Sequence, residues 1–280
     1  MSPASAAAIG LIVTSILACV AFGFAFQVSR VFHLALGANV LVSLYLGLML
    51  AEAGLDLTAV TLLVVVAGAC FGASVEFLAY RPLNRLGVTN PRMVIASLGL
   101  LVVCQSLIAF YFGTELKTLS TPPVQSELIP LHVSIIAAAI AAAAVVPASR
   151  DHKLFVAVGE NPHLAAGLGI STERVRLIAF ALSGGVAGLL AMVLLFGIGA
   201  RPEYGLHYVL IGSVGALIGG SHSIRAWILV GAALGLLRLT ALHTLPDSNY
   251  VDLATFVILI GLLLFRSNDL FGNADGRRDT

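Results

Sequence analysis

The sequence predicts an all-α integral membrane protein, a polytopic bundle of about eight or nine transmembrane helices. Of its 280 residues, 59% are hydrophobic and 10% are charged. Average globular proteins contain about 45–50% apolar and about 25% charged residues, so a soluble domain could not hide this much apolar surface. The apolar residues also form continuous runs rather than alternating ones, which excludes porin-type strands.

Nine apolar runs approach the length of about 20 residues that a transmembrane helix needs. They are 5–26, 33–53, 57–79, 92–113, 130–148, 176–198, 206–220, 226–245 and 251–266. No charged side chain precedes Arg30, so the basic start of a signal peptide is absent and a retained first helix is expected. The run 206–220 is short and glycine-rich, which is typical of a broken or re-entrant helix. A full span stays open as the alternative. We expect a single transmembrane domain over 1–280.

The distribution of basic residues predicts the orientation. With the N-terminus outside, the cytoplasmic segments are 27–32, 76–92, 149–176, 221–225 and 266–280. Only Lys117, Arg201 and Arg238 of the 15 basic residues lie elsewhere, whereas the 14 acidic residues divide evenly. A bias in Lys and Arg alone is the form that the positive-inside rule takes. The sequence therefore predicts a multi-pass protein of the bacterial cytoplasmic (inner) membrane with a cytoplasmic C-terminus, surrounded by lipid.

Several kinds of catalytic site are excluded by their motifs. The chain has two lysines, Lys117 and Lys153, and neither follows the glycine that a nucleotide-binding P-loop requires. No His-Glu-x-x-His metalloprotease motif occurs, and the nearest approach to a serine protease element is Ser183-Gly184, which lacks the first glycine. We expect Ser183 to bond to its own helix backbone. No catalytic residue, metal site, cofactor or nucleic-acid partner is predicted.

Ionisable residues within the predicted spans are scarce, which argues weakly against an ion-driven secondary carrier. Arg238 is the clearest case, and we expect it to extend to the outer surface rather than face a cavity. Glu76 is expected to pair with Arg81 or Arg85 near the inner surface. Glycines at four-residue spacing predict close helix contacts. These pairs are Gly68/Gly72, Gly184/Gly188, Gly215/Gly219 and Gly231/Gly235.

Five sequence motifs lie in register over about 200 residues. The longest reads AVGENPHLAAGLGI at 157–170 and continues into AFALSGGVAG at 179–188. The others are VEFLAYRPL at 75–83, IASLGL at 95–100 with Gln105, IGGSHSI at 218–224, and FR with LFG at 265–272. Together they resemble the branched-chain amino acid permease family of ABC importers.

The chain departs from the family pattern where Leu36 and Ala38 replace a usual His and Glu. His222 stands in place of a Gly, and Arg225-Ala226 in place of Pro-Gly. The resemblance therefore implies an import path for branched-chain or related amino acids, with urea, an amide or another small solute as the alternative. A secondary carrier and an intramembrane enzyme are the remaining alternatives.

The resemblance also implies partners. These are two cytoplasmic ATP-binding subunits, a second identical or homologous permease subunit, and a periplasmic or extracellular solute-binding protein. The loop 149–176 would then couple to the ATPase through a short helix capped by Asn161 with Pro162 in its first turn. Its small residues are expected to enter a cleft of the ATPase. The predicted coupling residues are Glu160, Asn161, Pro162, Ala165, Ala166 and Gly169.

A zwitterionic solute needs polar groups to compensate its charges in a medium of low dielectric. Polar side chains at suitable depth are the candidates for the substrate path, although each could equally join helices. They are Asn39, Ser97, Gln105, Ser183 and Ser213.

Overall fold

The computed structural model describes residues 3–119, 152–220 and 223–244, with single positions at 137, 139, 142, 257 and 261. In these ranges the chain is helical, and one isolated antiparallel bridge joins Lys117 to Ala200. The helices are α1 Pro3–Ser29, α2 Ala35–Glu52, α3 Leu57–Val75, α4 Arg81–Arg85, α5 Asn90–Phe112, α6 His152–Glu160, α7 Pro162–Gly167, α8 Thr172–Ile198, α9 Tyr204–Gly219 and α10 Ile224–Thr244. A π-helical segment, Glu76–Tyr80, joins α3 to α4.

Six helical stretches of the described residues are long and apolar enough to cross a membrane. They are Ala8–Ser29, Ala35–Glu52, Leu57–Arg85, Asn90–Phe112, Thr172–Ile198 and Ile224–Leu242. This confirms the predicted polytopic helical architecture. The runs predicted at 130–148 and 251–266 lie outside the described residues, apart from single positions.

The short run predicted at 206–220 forms α9, a continuous helix of 16 residues. At about 1.5 Å per residue it is about 24 Å long, which is less than the hydrocarbon thickness of about 30 Å. The helix is therefore unbroken but too short to cross the membrane unaided. Its first turn lies inside the bundle, because a methyl carbon at Gly205 would lie 2.7 Å from the carbonyl oxygen of Gly37.

Helices α1 and α8 form the centre of the bundle. Helix α1 packs against α8, α9 and α10, and α8 packs against α1, α2 and α3. Nearly every residue of α8 from Ser183 to Leu195 is buried. Helix α5 has fewer neighbours and presents many of its apolar side chains outward. An apolar outer face is what lipid contact requires.

Glycines allow these central helices to approach closely. A methyl carbon at Gly68 would lie 2.5 Å from the carbonyl oxygen of Gly184, closer than real side chains come. Gly72 meets the Phe180 backbone in the same way. On the other side of the bundle, Gly231 and Gly235 lie against the backbone of α1. The structure thus places the predicted glycine pairs at helix contacts.

Candidate functional site

The short helix predicted to begin at Asn161-Pro162 is present as α7, at the same end of the bundle as the start of α8. Asn161 is its cap, because its side-chain oxygen Oδ1 accepts a hydrogen bond from the Leu164 amide at 3.0 Å. Pro162 occupies the first turn, where its missing N–H is not needed. The turn after the helix uses Gly169 at φ +83°, a left-handed conformation that favours glycine. The predicted start of this helix is confirmed.

The small residues of α7 do not all point outward, as the expected docking on a partner would require. Ala165 is only 2% exposed and packs into the core of the bundle. Glu160, Asn161, Pro162, Ala166 and Gly169 are exposed. Leu164 and Leu168 are also exposed, at 63% and 73%. The free surface of α7 therefore carries leucines that the sequence reading missed, because only the packing decides which face turns inward.

The α6–α7 segment, which comprises these two helices, contacts the end of α1 through α6. Gly159 approaches the Gln27 carbonyl so closely that a methyl group at Gly159 would overlap it. The Gln27 side-chain nitrogen Nε2 lies 2.9 Å from Nδ1 of His152, and the rings of Phe24 and Phe155 meet edge to face at 6.5 Å. Burial lowers the pKa of nearby Arg30, and the Glu160 carboxylate opposes that shift. Helix α6 is therefore in direct contact with the end of α1.

A charged cluster lies at the same end, between the π-helical segment and the start of α8. Arg176 donates from Nε and Nη2 to the two Glu76 carboxylate oxygens at 2.7 and 3.3 Å. Arg81 and Arg85 instead donate to Glu173. The expectation that Glu76 pairs with Arg81 or Arg85 is therefore wrong, because α8 brings its own arginine to the buried carboxylate. A cleft of about 240 Å³ opens beside this cluster.

Asn39, a predicted path residue, is buried and joins three helices. Its side-chain Nδ2 donates to the Gly68 carbonyl oxygen of α3 at 3.0 Å, and its Oδ1 accepts from Ser43 at 3.3 Å. A methyl carbon at Gly184 of α8 would lie 2.7 Å from the same Nδ2. Asn39 therefore stands where α2, α3 and α8 come closest.

The other predicted path residues are separate from Asn39. Ser97 is buried beside the turn before α2, where its Oγ accepts from the Leu34 amide at 3.3 Å and donates to Val94 O at 2.7 Å. Ser213 donates to Leu210 of its own helix at 2.7 Å, and Gln105 is half-buried on α5. Across the described residues, no hydrogen bond joins any two of the five side chains.

Ser183 has a different hydrogen-bond partner from the one expected. Its hydroxyl donates to the Ala21 carbonyl oxygen of α1 at 2.6 Å instead of to its own helix. Ser183 is thus a polar link between the two central helices.

Arg238 also contradicts the expectation from the sequence, since it does not reach an outer surface. The residue is 6% exposed, and its Nη2 lies 3.1 Å from Nε2 of His207 on α9. Its guanidinium carbon lies 5.4 Å from the centre of the Tyr208 ring. Helix α9 crosses in front of this side chain, and a linear sequence contains no sign of that crossing.

Comparisons with known proteins agree with the polytopic helical fold described above. A family model described as branched-chain amino acid transport system / permease component matches residues 6–266. The chain is 28% identical over 194 residues to the autoinducer 2 import system permease protein LsrC of Yersinia enterocolitica, covering 61% of this chain and 52% of the relative. It is 32% identical over 124 residues to LsrC of Salmonella typhimurium, covering 40% of this chain and 34% of the relative. The chain spans about half the length, or less, of these curated relatives.

Proposed function

We propose that this chain, which belongs to the branched-chain amino acid transport permease family, forms the import path of an ABC transporter. The energy for import comes from separate ATPase subunits. Members of this family are transport subunits and not enzymes. The observation that carries the proposal is α7, a capped short helix with an exposed apolar face, which adjoins α6, the helix that packs against the end of the central helix α1. A rigid helix so placed can convert movement of an ATPase into movement of the bundle.

The partners follow from this proposal. Two ATP-binding subunits would dock on the exposed face of α7, which offers Leu164, Leu168 and Ala166. A second permease subunit, identical or homologous, would complete the path, and a solute-binding protein would deliver the solute at the opposite end. We propose that the protein lies in the bacterial inner membrane with the start of α8 and the C-terminus on the cytoplasmic side.

The docking of α7 can be tested with one substitution and its matched control. Ala166→Arg puts a long charged side chain on the proposed docking face, and Ala53→Arg makes the same change at an exposed site at the end of α2. We expect Ala166→Arg to abolish ATP-driven uptake while the protein still inserts, and Ala53→Arg to leave uptake unchanged. Equal uptake by the two variants at matched expression would remove α7 from the mechanism.

For the solute, we propose a small polar molecule and do not restrict it to the branched-chain amino acids of the family name. The relatives above are named for import of autoinducer 2, and Leu36 and Ala38 depart from the family pattern beside the buried Asn39. Branched-chain amino acids, a urea or amide, and autoinducer 2 are the candidates. The ligand bound by the partner solute-binding protein, identified by mass spectrometry after purification, decides among them.

We also propose that Asn39 and Ser97 border the import path, with Gln105, Ser183 and Ser213 as further candidates. Asn39 supports this best, because its amide sits where three helices meet and would sense their relative movement. Asn39→Ala and Ser97→Ala are expected to change the KM for the imported solute at matched expression. Wild-type uptake kinetics in both variants would leave these residues as links between helices only.

A further inference from the structure

Arg238 is a buried charge whose hydrogen-bonding capacity is mostly unused. Its Nη2 approaches His207 Nε2, and since arginine only donates, that imidazole nitrogen is the acceptor. Its Nε and Nη1 atoms are buried with no hydrogen-bond partner among the described residues. The ion pairs of the described residues use Arg81, Arg85 and Arg176, so Arg238 has no carboxylate there.

A lone guanidinium within a membrane bundle is costly, because neither lipid nor apolar side chains replace its water shell. Such residues normally pair with an anion or line a polar path, and packing alone does not explain their presence. His207 is a neutral partner and the Tyr208 ring offers only its face. Among the described residues, no carboxylate offsets the charge of Arg238.

The surroundings of Arg238 supply two more features that favour an anion. The first turn of α9 begins inside the bundle, and the amide groups of a helix start carry partial positive charge. Gly205 in that turn contacts Leu41 of α2, and Tyr45 stands one helical turn further along the same face of α2. Tyr45 is 2% exposed and its hydroxyl has no hydrogen-bond partner among the described residues.

We propose that Arg238, the first turn of α9 and Tyr45 form a binding site for the carboxylate group of the imported solute. This rests on the import function proposed above and assigns the solute to a class, the carboxylate-bearing small molecules. Arg238 supplies the positive charge and Tyr45 a second donor. A charged hydrogen bond to arginine is stronger than a neutral one, so a neutral urea or amide binds here more weakly.

The site can be tested on the purified permease in detergent, with no ATPase present. The melting temperature is measured against rising acetate, succinate and L-leucine, with urea and glycerol as uncharged probes and chloride holding the ionic strength constant. We expect at least one carboxylate to raise the melting temperature saturably and the uncharged probes to have no such effect. In Arg238→Gln we expect binding about tenfold weaker or lost, since one charged contact is removed.

Further variants separate binding from folding. Arg238→Lys keeps the charge and should keep part of the shift, and Tyr45→Phe removes only the hydroxyl and should weaken binding. Arg225→Gln changes an exposed arginine of the same helix and should bind as the wild type does. No shift with any carboxylate, or an unchanged shift in Arg238→Gln, would overturn the proposal.

An aspartate of the chain itself is the competing source of negative charge. Asp247 and Asp252 follow α10 and lie outside the described residues. If Asp247→Asn or Asp252→Asn lowers the melting temperature non-additively with Arg238→Gln, the arginine pairs within the chain and the proposed site is overturned. Absence of ATP-driven uptake by the assembled importer would refute the import function but leave the binding result standing.

Discussion

At the scale of single residues, the bundle depends on positions where a side chain is absent. Gly68 and Gly184 face each other across α3 and α8, and Gly72 faces the Phe180 backbone. These contacts bring the backbones near enough for Asn39 to reach the Gly68 carbonyl group. In a bilayer, where water does not drive helices together, such close packing and buried hydrogen bonds supply the association energy.

Adding one methyl group at this contact is expected to separate the helices. Gly184→Ala places its methyl carbon against Gly68 and the Asn39 amide, so overpacking should cost about 1–3 kcal/mol. Gly197→Ala lies in the same helix with no neighbouring atom within 4 Å, and should stabilise by up to about 1 kcal/mol through helix propensity. Thermal unfolding in detergent measures both. A similar melting temperature for the two variants would contradict the assigned α3–α8 contact.

The charged cluster contains two kinds of ion pair with different expected contributions. The Glu76 and Arg176 side chains are 5% and 17% exposed, so Arg176→Gln leaves a buried carboxylate unpaired and should cost about 3–5 kcal/mol. Arg85 and Glu173 are 64% and 52% exposed, so Arg85→Gln should cost less than about 1 kcal/mol. Thermal unfolding of the two glutamine variants distinguishes these values. Equal losses of stability would contradict a larger contribution from the Glu76–Arg176 pair than from the exposed Arg85–Glu173 pair.

At the scale of elements, the α6–α7 segment and α9 have the most specific contacts. Helix α6 packs against α1 and α8, α7 packs against α6 and α8, and α9 inserts its first turn between α2 and α10. The π-helical segment holds Glu76 and Tyr80 inward, and Tyr80 Oη lies 2.8 Å from His33 Nδ1. Such segments occur often at functional sites, where they redirect side chains.

The contact between α6 and α1 predicts a loss of coupling. In Gly159→Ala the methyl group would overlap the Gln27 carbonyl group, so α6 must move away from α1. In Gly167→Ala, within the same segment, the methyl group meets no atom within 4 Å. We expect fewer solute molecules imported per ATP hydrolysed in Gly159→Ala and a wild-type ratio in Gly167→Ala, measured in proteoliposomes. Identical ratios of solute imported to ATP hydrolysed in the two variants would contradict the transfer of movement from α6 to α1.

Local features of these elements could be predicted from the sequence, and features set by packing could not. The Asn161-Pro162 start of α7 and the glycine contacts follow from residue chemistry and spacing. The inward position of Ala165, the bond from Ser183 to α1 and the pairing of Glu76 with Arg176 depend on how distant helices meet. Arg238 was expected at a surface because nothing near it in sequence reveals that α9 covers it.

At the scale of the whole molecule, α1 connects the two ends of the bundle. It contacts α6 at Gln27, the other central helix at Ala21, and α10 near Ile12 and Ile16. Helix α10 carries Arg238 in turn. A shift of α1 caused by an ATPase would therefore act on the helices around the proposed solute site, which is the behaviour that alternating access requires.

We propose that this chain is the passive import path of an ATP-driven machine. The most direct test is reconstitution in proteoliposomes of the permease with its ATPase subunits and solute-binding protein, with uptake of that protein's ligand measured. We expect uptake that requires ATP hydrolysis and stops when the ATPase subunits are left out. Uptake by the permease alone under an ion gradient would contradict this role.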